Sequence, residues 1–362
     1  MRPILVLGGY GNFGKRISKS LAGAGFPVVI GGRSQVKAST LLRTLPGQGH
    51  AVATFDVDQD LELHLKRMKP SSVINTCGPF QSADYSIAKA CIEEAIPYID
   101  LADARDFVCG ITKLDQKANE AGIPVISGAS TVPGLSSAVL EEFGGEFSLI
   151  TLLKFGISPG QKAERGLATT QGILSYVGKP LRRFASVKPN VFGWQDLYLQ
   201  RYPVIGRRWM ANCEIPDLDL LPKAYGIDRI QFSAGLELTP LHLGLWMMSW
   251  LVRLGILNNL QKFSGPLLKI SNWFNRFGSA DGGMHILLDG YDHERKPHQF
   301  GWFIVAKNGD GPQIPTIPAI VIAKKIARGD FPVVGAMPCV GLVSLSEYLE
   351  ELSSFEVSTY RE

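Results

Sequence analysis

Residues 8–14 read Gly8-Gly9-Tyr10-Gly11-Asn12-Phe13-Gly14. The Gly-x-Gly-x-x-Gly spacing of positions 9–14 suits a turn that lays backbone N–H groups against a pyrophosphate. Gly9 permits the tight turn, Gly11 lets a phosphate approach the backbone, and Gly14 lets the next helix pack closely on the preceding strand. Tyr10, Asn12 and Phe13 fill the variable positions and belong to the same candidate cofactor-binding set. Nineteen positions beyond Gly14, in Ile30-Gly31-Gly32-Arg33-Ser34, stands Arg33 where a carboxylate would bind ribose hydroxyls. A carboxylate there would repel a 2′-phosphate. A guanidinium can grip it with two hydrogen bonds, and the Ser34 hydroxyl can add a third. The pair therefore points to NADP rather than NAD, against the plainer reading of Arg33 as a solvated surface charge.

Further candidates follow later apolar runs. Asp56 stands where an adenine edge would lie, and equally where a turn or helix cap would use it. Asn75-Thr76-Cys77-Gly78-Pro79-Phe80 combines small residues with a stiffening proline, which places Cys77, Gly78 and Pro79 near a nicotinamide. Asp100 and Asp103 are the acid/base candidates, since hydride transfer to an imine or carbonyl is accompanied by proton transfer. Asp103 also reads as the N-cap of the following helix. Cys77 is a candidate nucleophile, but no histidine lies near it in sequence, and a structural role is the better reading. His242 and His285 are isolated, and no metal site is expected.

These residues need elements that bring them to one edge. Short apolar runs at 3–7, 27–30, 51–55, 72–75, 97–100 and 123–126 alternate with helix-spaced stretches at 13–21, 84–94 and 104–121. Strands without a polar face, separated by helices, predict a parallel sheet covered on both sides, with ligands outside the carboxyl ends of its strands. After Gly128 the strand candidates 148–157, 228–238, 284–291 and 299–306 are longer and irregularly spaced. The last two are joined by the charged turn Asp292-His293-Glu294-Arg295-Lys296-Pro297, as in a hairpin. Residues 319–328 and 345–352 read as helices. The expected fold is α/β, a Rossmann doubly wound parallel sheet with a second α+β domain built on a mixed sheet.

Composition agrees. The 362 residues are 45% hydrophobic and 19% charged, with a net charge of +4, which fits a folded two-domain protein and gives no reason to expect nucleic acid as partner. Five cysteines, odd in number and widely spaced, suggest neither a disulfide framework nor structural zinc. With no leader-like N-terminal run, a cytoplasmic setting is expected.

Taken together, the glycine turn, Gly31-Gly32-Arg33-Ser34, residues 75–80 and Tyr98-Ile99-Asp100-Leu101-Ala102-Asp103 resemble the saccharopine dehydrogenase family in its broad sense. Pro133-Gly134-Leu135-Ser136 and the segment from Gly335-Ala336-Met337-Pro338-Cys339 to Leu345-Ser346-Glu347 are similar more loosely. The resemblance implies a Rossmann domain for NAD(P) over 1–130, a substrate or dimerisation domain over 131–331, and a segment 332–362 returning to the first. It implies an NADP-dependent oxidoreductase moving a hydride to or from a small imine, carbonyl or enoyl substrate, with a homodimer as the expected assembly. The competing expectation is an NADP-binding redox sensor, or a membrane- or partner-docking protein with little turnover.

Two stretches stand outside that frame. Residues 179–208 hold seven basic residues against Asp196 alone, with Trp194, Tyr198 and Tyr202 interleaved, a pattern that reads first as a solvated face and otherwise suits single-stranded nucleic acid, an anionic membrane surface or an acidic substrate. Residues 241–277 are rich in aromatic and aliphatic side chains. They read as core or subunit contact, or as an interfacial helical hairpin making peripheral membrane contact.

Overall fold

Four-residue runs such as Ile-Leu-Val-Leu and Ser-Val-Ile-Asn put an apolar side chain on each face of the strand, and both lie wholly buried as central strands. The computed structural model describes residues 1–362, apart from the side chain of Ala168. Its strands, in chain order, begin with β1 (Ile4–Leu7), β2 (Val28–Gly32), β3 (Ala51–Thr54), β4 (Ser72–Asn75), β5 (Tyr98–Asp100) and β6 (Pro124–Ser127). There follow β7 (Leu149–Ser158), β8 (Tyr198–Tyr202), β9 (Gly206–Asn212), β10 (Ile230–Ala234), β11 (Gly282–Tyr291) and β12 (Pro297–Ala306), and finally β13 (Gly335–Pro338) and β14 (Val357–Arg361).

Two units result, one of residues 1–138 and 313–351, the other of 139–312 and 352–362. In the first, seven strands in the order β13-β6-β5-β4-β1-β2-β3 all run parallel. The order reverses between β1 and β4, where Leu7 lies opposite Asn75. Chains leaving such neighbours turn to opposite faces and open a crevice beyond the strand ends. In the second unit the order is β14-β12-β11-β7-β10-β9-β8, with β7 and β10 parallel and the other pairs antiparallel. The expected fold class is the observed one.

Several expectations need correction. Residues 104–121 are not one helix but Arg105–Gly110, a tight turn Ile111–Leu114, and Asp115–Glu120; glycine followed by β-branched residues favours that break. The strand expected over 228–238 is only Ile230–Ala234, and a Cβ on Gly235 would stand 2.6 Å from the Trp209 carbonyl oxygen. Residues 313–331, assigned by sequence to the second domain, lie in the first unit: the helix Ile317–Arg328 buries every residue from Ile317 to Ala323 and packs on β4 and β5. The chain end does not stay with the first unit, because β14 adds antiparallel to β12. The basic stretch folds partly into the β8–β9 hairpin. Tyr198-Leu199-Gln200-Arg201-Tyr202 alternates inward and outward residues, and charge suits such an edge strand.

Candidate active site

The glycine turn sits directly on β1. Gly8 takes φ +68°, and its carbonyl accepts from the Gly11 N–H at 2.8 Å. A Cβ on Gly14 would fall 2.2 Å from the Gly8 oxygen, and one on Gly9 would fall 2.8 Å from the Val6 oxygen, so both positions exclude any side chain. The helix Asn12–Gly23 that opens here has no side-chain cap and no acidic residue in its first turn. Its leading N–H groups and positive end are therefore offered to an anion.

Tyr10 links this turn to the second motif. Its ring lies over Gly32, where a Cβ would come within 2.6 Å of it, and its hydroxyl accepts from the Ser34 N–H at 3.0 Å. Ser34 caps the helix Gln35–Leu42 by accepting from the Lys37 N–H at 3.4 Å, which leaves its hydroxyl proton able to donate to a phosphate. Arg33 is exposed beside it. Asp56 is occupied locally: its carboxylate accepts from the Asp58 N–H and its carbonyl from those of Gln59 and Asp60, which is the turn reading foreseen as its alternative.

Across the crevice, the loop after β4 is fastened beneath the same turn. Thr76 donates through its N–H and its Oγ1 to the Leu7 carbonyl, at 3.1 and 2.8 Å. A Cβ on Gly8 would meet Thr76 Oγ1 at 2.7 Å and Cys77 Sγ at 3.2 Å. Asn75 is buried, accepting from the Cys77 N–H and donating to the Tyr98 hydroxyl at 3.1 Å. Burial pushes the Cys77 thiol up to about 11, against the pull of the Arg33 charge. Near neutral pH it stays a thiol, which corrects its candidacy as a nucleophile.

The two aspartates part company. Asp100 is fully buried, and its Oδ1 accepts from the Ala102 N–H, the Ser127 hydroxyl and the Gly128 N–H at 2.9–3.0 Å, lacing the ends of β5 and β6 together. Burial raises its carboxyl to about 6 despite those bonds. This geometry is that of a brace rather than of a group that meets substrate. Asp103 is exposed and accepts from Gln81 Nε2 at 3.2 Å, which turns it toward the loop carrying Gly78 and Pro79. It is not the cap expected, since the helix from Arg105 begins at Ala104 with no side-chain cap bond.

Sequence reasoning missed a polar chain in the second unit. Lys154, inside the apolar run of β7, holds its Nζ 3.5 Å over the Tyr198 ring. The Tyr198 and Tyr202 hydroxyls reach the two ring nitrogens of His285, at 3.3 and 2.8 Å. Burial lowers His285 to about 3, so it stays neutral and serves one tyrosine as donor and the other as acceptor. Lys154, Asp196, Tyr198, Asn212 and Gln231 border a cavity of about 290 Å³. The available signal was a lysine amid nine otherwise uncharged strand residues. Among the described residues, no three His, Cys, Asp or Glu gather as a metal site would require.

A parallel sheet with a glycine-lined anion turn at its switch point, and an arginine where an acid would bind ribose, mark the first unit as an NADP-binding domain. Residues 4–126 match the family model described as saccharopine dehydrogenase NADP binding domain. Among solved structures, saccharopine dehydrogenase (L-Glu forming) from Saccharomyces cerevisiae aligns over 100% of both chains with a TM-score of 0.67 at 12% identity. Amine dehydrogenase from Mycobacterium smegmatis aligns over 94% of this chain and 96% of its own, with a TM-score of 0.50 and 12% identity. No curated protein matches in sequence.

Proposed function

We propose that this protein transfers a hydride between NADP and a small molecule bearing a C=N, C=O or activated C=C bond. The observation that carries the reading is exposed Arg33 with half-buried Ser34 beside the uncapped helix start, joined to it through Tyr10. Gly9, Gly11 and Gly14 would admit the pyrophosphate, with Tyr10, Asn12 and Phe13 forming the turn around it. Arg33 and Ser34 would hold the 2′-phosphate, and Cys77, Gly78 and Pro79 would underlie the nicotinamide end. NADP, when bound, supplies or accepts the hydride.

The proton needs a residue of the chain. Asp103, exposed and turned toward the loop that carries Pro79, is the carboxylate that can exchange protons with substrate. Asp100 positions that edge from below. The names of the structural relatives, both dehydrogenases of amino compounds, favour an imine or amine among the three substrate classes.

The reading is tested by fluorescence titration with NADPH and NADH, followed by NADPH oxidation over a panel of imines, keto acids and enoyl thioesters. Tighter binding of NADPH and turnover with at least one class are expected. Equal affinity for NADH would remove the Arg33 argument, and binding without any turnover would favour a sensor. Asp103→Asn should lower turnover with NADPH affinity unchanged; unaltered turnover would exclude Asp103 as the proton-transfer group.

A further inference from the structure

The segment 239–277 folds as the helix Thr239–Arg253, a short turn Leu260–Phe263, the helix Ser264–Trp273 and a closing turn Phe274–Phe277. One side of it is anchored. His242, Leu245 and Leu260 are buried, and Leu245 and Leu260 join a cluster with Leu174, Val177 and Trp194, against which Val252, Leu257 and Leu267 pack. The other side has no such cover. Met247, Leu254, Ile256, Phe263, Trp273 and Phe277 are each 49–67% exposed, far more apolar surface than a solvated helical pair requires, and Trp273, Phe274 and Phe277 touch one another.

The segment is also cationic throughout, although Arg253 is partly held by Phe192, 3.9 Å away, and by Gln195 Oε1, to which it donates at 2.7 Å. Between Glu237 and Asp281 there is no acidic residue, whereas Arg253, Lys262, Lys269 and Arg276 are all present and exposed. Without those four, the remainder of the chain balances at 33 basic and 33 acidic residues, so this hairpin carries the whole net charge of +4. The cations are interleaved with aromatic rings: Arg276 lies 4.2 Å from the Trp273 centroid and 4.7 Å from that of Phe277, and Arg253 lies 5.0 Å from that of Trp250.

We propose that this hairpin docks the protein on the surface of an anionic phospholipid bilayer. Trp, Phe and Leu or Ile side chains beside Lys and Arg are the composition that settles at the headgroup boundary, the apolar groups entering the acyl edge while the cations meet lipid phosphates. Among the described residues no helix is long and apolar enough to cross a membrane, and the 15-residue first helix spans about 22 Å against about 30 Å of hydrocarbon, so the hairpin would lie on the bilayer. A second copy of the chain is a poorer occupant. A two-fold contact through this face would bring eight cations together with no carboxylate from the hairpin to answer them.

Flotation of the full-length protein with vesicles tests the proposal. With equal parts phosphatidylglycerol and phosphatidylcholine the protein should float, and with phosphatidylcholine alone partitioning should fall on the order of a hundredfold. Leu254→Asp/Ile256→Asp should cut partitioning to the anionic vesicles at least tenfold, and Lys269→Glu/Arg276→Glu should remove the preference for them. The tryptophan-fluorescence melting transition, which reads the unit that carries the hairpin, serves as the folding control for both variants. Failure to float with anionic vesicles, or unchanged flotation by both folded variants, overturns the proposal. So does a concentration-dependent dimer that the same substitutions dissolve while vesicles go unbound. None of these outcomes depends on turnover.

Discussion

At the residue scale, Arg33 is the side chain whose replacement is most informative. A charge-assisted bond to a phosphate accounts for roughly ten- to hundredfold in affinity, so Arg33→Ala should weaken NADPH binding by that much and leave NADH nearly unchanged. Arg33→Asp adds repulsion of the 2′-phosphate and an acceptor for ribose hydroxyls, and should move preference toward NADH. Identical binding of both cofactors to parent and variant would mean that the guanidinium faces elsewhere. Asp100 supports a prediction of another kind. Its carboxyl, raised to about 6 by burial, favours folding in its protonated form; that contribution is complete below the ordinary carboxylate range and is lost as pH rises through 6. Asp100→Asn keeps an oxygen for the Ala102, Ser127 and Gly128 donors and removes the ionisation. Urea unfolding at pH 7.5 should show the variant more stable by up to about 3 kcal/mol, with the gap closing below pH 4. A variant less stable at pH 7.5 would show that the charge is wanted there.

At the element scale, the strand–turn–helix unit of residues 4–23 should tolerate no Cβ at Gly14. Gly14→Ala forces the Gly8 carbonyl out of place and should abolish measurable NADPH binding while circular dichroism still reports a folded chain; retained binding would show that the turn can give way. This unit was legible in the sequence because Gly9, Gly11 and Gly14 answer a local steric demand, and local demands leave fixed spacings. The order of apolar runs likewise foretold a parallel sheet. Asp100 was not legible, since its partners Ser127 and Gly128 lie 27 and 28 positions away and only the parallel register of β5 and β6 brings them close. The helix Ile317–Arg328 was misplaced for a related reason: its periodicity declares a buried face without naming the sheet that buries it. Alternation in β8 was masked by arginine, which reads as surface on a helix or a strand alike.

At the scale of the molecule, the two units should answer acid in opposite directions. His242 and His285, held neutral by burial at about 4 and 3, belong to the second unit; from pH 6.5 down to 5 each costs it about 2 kcal/mol as the unfolded chain takes up protons. Asp100 belongs to the first, which over the same descent gains about 1 kcal/mol. All six tryptophans lie between Trp194 and Trp302, so their fluorescence follows the second unit alone, while bound NADPH follows the first. Melting at pH 7.5 and pH 5 should show the tryptophan transition falling and the NADPH-release transition holding or rising; a joint fall would show the two melting as one. The interrupted first unit also bears on how the chain is made. Six of its seven strands are complete when residue 127 leaves the ribosome, but β13, which covers the edge of β6, follows about 200 residues later. At roughly 5–20 residues per second, the nascent sheet carries an uncovered β6 edge for roughly 10–40 s. Every molecule therefore passes through an interval in which a half-built Rossmann sheet must be kept from its neighbours on the same messenger.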